Sequence, residues 1–285
     1  MVSGAAGTAA GPMVIAAVEQ HYPPGRRLLD DPLAGSVLPP VSRWVAGSAR
    51  HPVLREWLIR LFEGAAPGVW GGVACRKRYI DEQVVRALGD GIGCAVVLGS
   101  GLDTRAHRLV APAGASAFEV DLAANVDRKR RRLGACERVT LVPVDFDTGD
   151  LGAALVARGH RVGQRCLFVW EGVTQYLTEE GFRRTFDFLA GAAPGSRLVF
   201  TYVRHDFIDG SDAHGAAAPH HRFVTRQRLW RIGLRPRDVG ALLARYGWWK
   251  VEDVGAEEFR ARYVRPTGRE VPVSPWERTV LAEKP

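Results

Sequence analysis

The sequence predicts an α/β fold. A mostly parallel sheet of seven strands carries helices on both faces, with a helical cap before it and a long insertion late in the chain. Three observations carry this reading. From residue 95 onward, short apolar runs alternate with helix-length segments. That alternation builds parallel sheets, because a parallel strand can only be reached through a crossover. The run 95–99 ends in a Gly-x-Gly turn, Gly99-Ser100-Gly101. A second short run, 116–121, ends in an acid, Asp121.

Taken in order, the strand signals fall at 95–99, 116–121, 139–144, 166–170 and 197–203, each bounded by turn or charge signals. Between them lie helical segments at 103–110, 123–134, 148–158 and 178–192. Pro236 suits the first turn of a further helix, which runs to Tyr246 with Val239, Leu242 and Leu243 on one face. Two more strand-like runs, 248–254 and 276–282, lie close to the C-terminus, and the polar stretch 255–275 between them reads as loop. Residues 13 to 90 carry helical signals broken by Pro23-Pro24, Pro32 and Pro39-Pro40, and 1–12 reads as a frayed tail. Residues 204–235 interrupt the order with Gly210, Gly215, Pro219, histidines and arginines. Loops this long are mostly functional or disordered. The chain thus divides into a tail and cap, 1–90, and a core, 91–285, whose insertion at 204–235 is expected to form a lid.

Composition narrows the class. Apolar residues make up 46% and charged residues 25% of the 285, the balance of a soluble globular protein. No run approaches the ~18 apolar residues of a membrane helix, and the Ala- and Gly-rich start does not read as a signal peptide. Cys75, Cys94, Cys136 and Cys166 are scattered without a C-x-x-C, so they read as small buried residues of a cytosolic chain. The histidines show no metal-binding spacing, and no metal is expected. The net charge is +8. Its densest run, Arg128 to Arg132, falls in a predicted helix and reads as a solvated face. Aromatic and basic residues do not interleave as single-stranded nucleic acid would require, so no nucleic-acid partner is expected.

The glycine turn indicates the ligand. A strand, a glycine turn and an acid at the next strand tip cradle a nucleoside-type cofactor: glycines let the backbone approach, and the acid accepts hydrogen bonds from ribose hydroxyls. A dinucleotide site would carry G-x-G-x-x-G. Here Thr104 and Arg105 follow, and Asp103 would oppose a phosphate. An acid there suits a ligand with an ammonium group, so the turn favours S-adenosylmethionine (SAM) over NAD. A plain strand-to-helix turn with a capping Asp is the bland alternative.

Further blocks sharpen this reading. Arg76-Lys77-Arg78-Tyr79-Ile80-Asp81, the stretch from Val97 to Leu109, Phe118-Glu119-Val120-Asp121 and Trp170-Glu171-Gly172-Val173-Thr174-Gln175-Tyr176-Leu177 occur in that order, with Asp31-Pro32-Leu33-Ala34 upstream. Together they resemble the leucine carboxyl methyltransferase-like family, in particular its actinobacterial branch. The resemblance implies a SAM-dependent O-methyltransferase of the class I, Rossmann-like fold. It implies that Arg76 holds the SAM carboxylate, Gly99 and Gly101 approach its backbone, Asp103 belongs to the same turn and Asp121 binds the ribose. Asp145 and Phe146 would flank the adenine and Glu171 would face the amino group. For Asp145 a helix N-cap, and for Arg76 a surface ion pair, are the structural alternatives.

The acceptor is expected to be a small molecule, and two chemistries stay open. A carboxylate needs a cation to hold it, and Arg204, Arg222 and Arg226 are candidates. A hydroxyl needs a base, for which His205, His214, His220 and His221 are available. Tyr176 follows the Trp-Glu-Gly block and is a candidate to face the acceptor. Outside this class stand a protein carboxyl methyltransferase, a non-catalytic regulatory protein on the same scaffold, and a dehydrogenase.

Overall fold

The computed structural model describes residues 10–285. The tail expected at 1–12 lies outside them up to residue 9, and Ala10 already opens helix α1, Ala10–Glu19. The cap continues with α2 (Ala34–Val37), α3 (Pro40–Ser48), α4 (Pro52–Ala65) and the long α5 (Val69–Gly89). Proline occupies the first turn of both α3 and α4, where its missing N–H has no partner to lose.

The core follows as β1 (Cys94–Leu98), β2 (Ser116–Asp121), α6 (Ala123–Leu133), β3 (Val139–Pro143), α7 (Leu151–Val156), β4 (Leu167–Trp170), α8 (Glu179–Ala190) and β5 (Arg197–Val203). The insertion holds two short helices, α9 (His205–Asp209) and α10 (Ala217–His220), before α11 (Val239–Arg245), β6 (Trp249–Val254), α12 (Ala256–Phe259) and β7 (Glu277–Glu283). The sheet order is β3-β2-β1-β4-β5-β7-β6. β1 to β5 pair in parallel, and β7 runs antiparallel to both neighbours. All seven predicted strands are present, each within one residue of its expected start.

Strand periodicity sorts the core into two layers. Ala95, Val97, Ala117, Leu167, Val169 and Val199 pack with cap residues such as Ile15, Trp70 and Ile80. Val96, Leu98, Phe118, Phe168, Trp170 and Phe200 face the other way and pack with Phe186, Leu243 and Trp248. Every residue of β1 is buried, because a central parallel strand is covered on both faces. The cap is therefore a structural layer of the sheet. After β1 the chain reverses its order, β2 and β3 on one side and β4 and β5 on the other. That switch point is where open α/β sheets bind ligands.

Two expectations need correction. The stretch 255–275 is not a surface loop: Phe259, Tyr263, Val264 and Val273 are buried against the cap. Its Arg269 reaches the fully buried Glu19 with Nη1 and Nη2 at 2.8 and 3.0 Å. Polar residues misled the pattern because they pair with a buried carboxylate. The basic run on α6 is not wholly solvated either. Lys129 is buried, and its ammonium lies 2.5 Å from the buried Glu119 of β2.

Burial pushes the Glu119 carboxyl up to about 7, against the opposing pull of Lys129. The folded chain therefore holds this proton more tightly than the unfolded one, whose carboxyl titrates near its ordinary value. Between about pH 4.5 and 7 folding takes up a proton, so this group's contribution to stability falls as pH rises. Urea unfolding across that window is expected to show a decline in the parent that is reduced in Glu119→Gln. Equal slopes for the two proteins would contradict the assignment.

Candidate functional site

The site is assembled at the C-terminal ends of β1, β2 and β4. Beyond β1 the backbone turns at Gly99 (φ +69°) and Gly101 (φ +46°), values in the left-handed region that only glycine adopts readily. A Cβ on Gly99 would also stand 2.2 Å from Cγ2 of Val173, so part of its requirement is packing against the loop after β4. The turn is pinned to β2: the Gly99 and Ser100 amides donate to the Val120 carbonyl at 2.8 and 3.0 Å. The Gly101 amide donates to Oδ2 of Asp121 at 2.6 Å.

Asp121 is thus held by the glycine turn itself. Its Oδ1 accepts from the Leu122 amide and from Asn125 Nδ2, each at 2.7 Å. A carboxylate has about four lone-pair sites, and three are used here. One acceptor position on Oδ2 remains beside the cavity. Thr104, where a dinucleotide turn would carry its third glycine, donates its hydroxyl to buried Asp31 at 2.7 Å. The Asp31-Pro32 block therefore clamps the cap onto the turn.

A buried ionic network backs the site. Glu171, just after β4, accepts from Arg76 Nε at 2.9 Å and Arg105 Nη1 at 2.5 Å, with Lys77 Nζ at 3.5 Å. Burial opposes its ionisation, but Lys77, Arg105 and Arg76 hold the carboxyl well below the usual range. Arg76 also grips Glu277 at the start of β7 through Nη1, at 2.5 and 2.6 Å. Its Nη2 faces Gly172, where an added Cβ would stand 3.4 Å away. Arg105, almost fully buried, is shared among Asp81, Asp103 and Glu171. Burial pushes the Asp103 carboxyl up, yet Arg105 and Lys77 outweigh it and hold Asp103 ionised below its ordinary range. Asp103 lines the cavity with its charge balanced by Arg105, rather than as an isolated anion.

These groups border one cavity of about 1260 Å³. Arg76, Gly99, Gly101, Asp103, Asp121, Asp145, Phe146, Glu171 and Tyr176 all line it. Asp145 is exposed and its Oδ1 accepts from the Asp147 amide at 2.9 Å. The N-cap of α7 is Asp150, which accepts from the Ala153 amide, so a cap does not explain Asp145. Phe146 beside it is buried.

The remaining wall comes from the cap and the insertion. Phe62 and Ala65 contribute from α4, Ala66 from just beyond it, and Pro219, Arg222, Phe223, Trp230 and Arg231 from 204–235. The Phe223 and Trp230 rings stack 4.8 Å apart, and Trp230 meets Tyr176 edge-on at 6.3 Å. The insertion is tied down where the Arg231 amide donates to the Gln175 carbonyl at 2.7 Å. Phe207 of α9 stacks on Trp276.

The structure does not bring Arg204 or His205 to the cavity. Arg204 closes on Asp206, with Nε and Nη2 bonded to its carboxylate, and His205 Nδ1 sits 2.9 Å from Asp209. Both face acids of their own segment because 205–209 is helical and returns those side chains to its start. His214 is likewise held between Asp206 and Asp212. No histidine lines the cavity among the described residues, and Arg226 is outside it while Arg222 is on it. The sequence reading also missed Glu277, Gln175 and Arg231. Buried Gln175 has an Oε1 without a hydrogen-bond partner, as has Nε1 of Trp230. Buried polar atoms seldom stay unpaired, and both belong to residues of the cavity wall. A glutamine next to Tyr176 in the fourth block was the available signal for the first. Glu277 gave none, since only the antiparallel course of β7 brings its start to this edge.

The donor set fits SAM. A zwitterionic amino-acid tail requires a cation and an anion side by side, and Arg76 and Glu171 are 2.9 Å apart. A ribose requires an acceptor at the tip of β2, which Asp121 supplies. The fold and site thus define a SAM-dependent methyltransferase, and comparison with known proteins agrees. The leucine carboxyl methyltransferase family model matches residues 9–190; the chain belongs to that family. A candidate SAM-dependent methyltransferase of Frankia alni is 31% identical over 204 residues, covering 68% of this chain and 67% of that protein. One from Mycolicibacterium smegmatis is 35% identical over 213 residues, covering 71% and 63%. Among solved structures, a candidate methyltransferase from Thermobifida fusca aligns with a TM-score of 0.62 at 18% identity, over 96% of this chain and 94% of that one. At that identity it speaks for the fold alone. Among the described residues no helix is long and apolar enough to cross a membrane.

Proposed function

We propose that the protein is an O-methyltransferase whose acceptor is a small aromatic carboxylate. One observation carries this reading: the acceptor half of the cavity presents Arg222 and Arg231 beside the Phe223–Trp230 stack, and no histidine lines it among the described residues. A carboxylate is ionised at neutral pH and needs a cation rather than a base. Arginine meets it with a planar fork of donors, and the stacked rings offer an apolar face to a planar acceptor.

When bound, SAM supplies a methyl group already activated on a sulfonium. The chain's own work is to hold, orient and keep dry. Asp121 accepts from the ribose hydroxyls, and Arg76 and Glu171 take the two charges of the amino-acid tail. Phe146 packs on the adenine while Asp145 accepts from it. Tyr176 and Trp230 confine the acceptor, and 204–235 closes over both ligands as a lid that excludes water. Orientation of this kind, rather than proton transfer, then supplies the rate.

The test is methyl transfer from radiolabelled SAM to a panel of aromatic acids and phenols, followed by mild base. A methyl ester releases methanol under base and a methyl ether does not. The expected product is base-labile. Arg222→Ala and Arg231→Ala should each raise KM for the acid by about 10-fold or more, the scale of losing a charged hydrogen bond, with binding of S-adenosylhomocysteine (SAH) unchanged. A base-stable product, or unaltered KM in both variants, would overturn the carboxylate reading. Hydrogen exchange within 204–235 is expected to slow when SAH and acceptor are both present; unchanged exchange would mean the segment is only a wall.

A further inference from the structure

Three side chains with metal-binding atoms meet at the end of the sheet opposite the cavity. Cys94 opens β1, and Cys166 immediately precedes β4. The parallel register that pairs Ala95 with Leu167 sets these cysteines side by side, and both belong to the same core layer. Gly159 (φ +92°) then turns the chain after α7, and the His160 amide donates to the Leu155 carbonyl at 3.0 Å. This turn brings the imidazole under the two strand starts. The Phe118 ring meets it edge-on at 5.3 Å, which fixes its plane. His160 Nε2 lies 3.4 Å from Cys166 Sγ, and the two sulfurs and a ring nitrogen all fall within 4.8 Å of one another.

We propose that Cys94, His160 and Cys166 form a binding site for a thiophilic divalent cation of the zinc(II) type, distinct from the methyl-transfer site. Tetrahedral zinc holds sulfur at about 2.3 Å and imidazole nitrogen at about 2.0–2.1 Å, so its ligand atoms stand roughly 3.5–4 Å apart. The cluster already approaches that spacing. Two thiolates and an imidazole are the soft and borderline donors such an ion selects. Both thiols are buried, while His160 is only partly buried. A solvent molecule completes the fourth position. Binding displaces both thiol protons to solvent, and no electron is transferred. With the five residues of β1 rising about 3.3 Å each, the site stands one strand length from Gly99. Its role is to tie β1 to β4 across the switch point.

The experiment titrates the reduced, metal-free full-length protein with cobalt(II), then zinc(II). One equivalent of cobalt should produce sulfur-to-metal charge-transfer absorption and the visible bands of a tetrahedral ion, and zinc should abolish both. Cys94→Ser and Cys166→Ser should lose the charge-transfer intensity, and Cys75→Ser and Cys136→Ser should keep it. His160→Gln, a change at a partly buried position, should weaken zinc binding by at least the about 10-fold seen for lesser changes around metals. SAH binding should persist in the zinc-loaded protein. Absence of the cobalt bands in the parent overturns the proposal. So does their survival in His160→Gln together with either cysteine variant.

Discussion

Glu19→Ala is expected to lower the unfolding free energy by about 3–5 kcal/mol, the scale for removing one partner of a buried ion pair. Glu19 is fully buried in α1 and accepts four hydrogen bonds. They come from the Leu28 amide at 2.8 Å, Trp70 Nε1 at 2.7 Å, and Arg269 Nη1 and Nη2 at 2.8 and 3.0 Å. The Arg269 guanidinium also lies 3.8 Å from the centre of the Tyr22 ring. Alanine in place of Glu19 strands that cation in the interior and orphans the indole N–H. The contacts join α1, α5 and the segment before β7, so the loss should be global. Urea unfolding followed by tryptophan fluorescence measures it, and Arg269→Ala should cost about as much as the glutamate change. A loss under about 1 kcal/mol for Glu19→Ala would show that the cap is held by apolar packing alone.

Asp121→Ala carries the second large effect, here on binding. SAH affinity should fall by about 2–3 kcal/mol, roughly 30- to 150-fold, the scale for losing a charged hydrogen-bond partner. Asp121 also braces the glycine turn through the Gly101 amide. In Asp121→Asn the side-chain oxygen can still accept from Gly101, but the amide NH2 then faces the Leu122 amide and Asn125 Nδ2, two donors that Oδ1 satisfies in the parent. The asparagine variant should therefore recover only part of the parent's thermal stability and part of its SAH affinity. Thermal unfolding measures the first and calorimetric titration the second. Equal affinity in parent and alanine variant would make Asp121 a bracing residue only.

How far the sequence foretold the molecule follows from which interactions are local. Strands were legible because each is a short, mainly apolar run set between turn or charge signals, and the central one, Cys94–Leu98, is wholly apolar. Gly99, Gly101 and Asp121 were legible because one turn and one strand tip carry them. The stretch 255–275 was illegible because Arg269 is polar in sequence but pairs with Glu19, 250 residues away. Lys129 looked solvated for the same reason, its partner Glu119 lying on the strand before its helix. In the insertion, of the three arginines read as candidates, Arg222 lines the cavity and Arg204 and Arg226 do not. Arg204 and Arg222 cannot be told apart by composition; Asp206, two residues on, claims the first, and only the fold turns the second to the cavity. Glu277 depended on the reversed course of β7.

Isothermal titration calorimetry of the purified chain with SAH and with NAD tests the central assignment most directly. The cavity at the ends of β1, β2 and β4, with Asp103 in its turn and Asp121 at its rim, predicts one SAH site per chain with micromolar affinity and no heat from NAD. Binding of NAD without binding of SAH would contradict it.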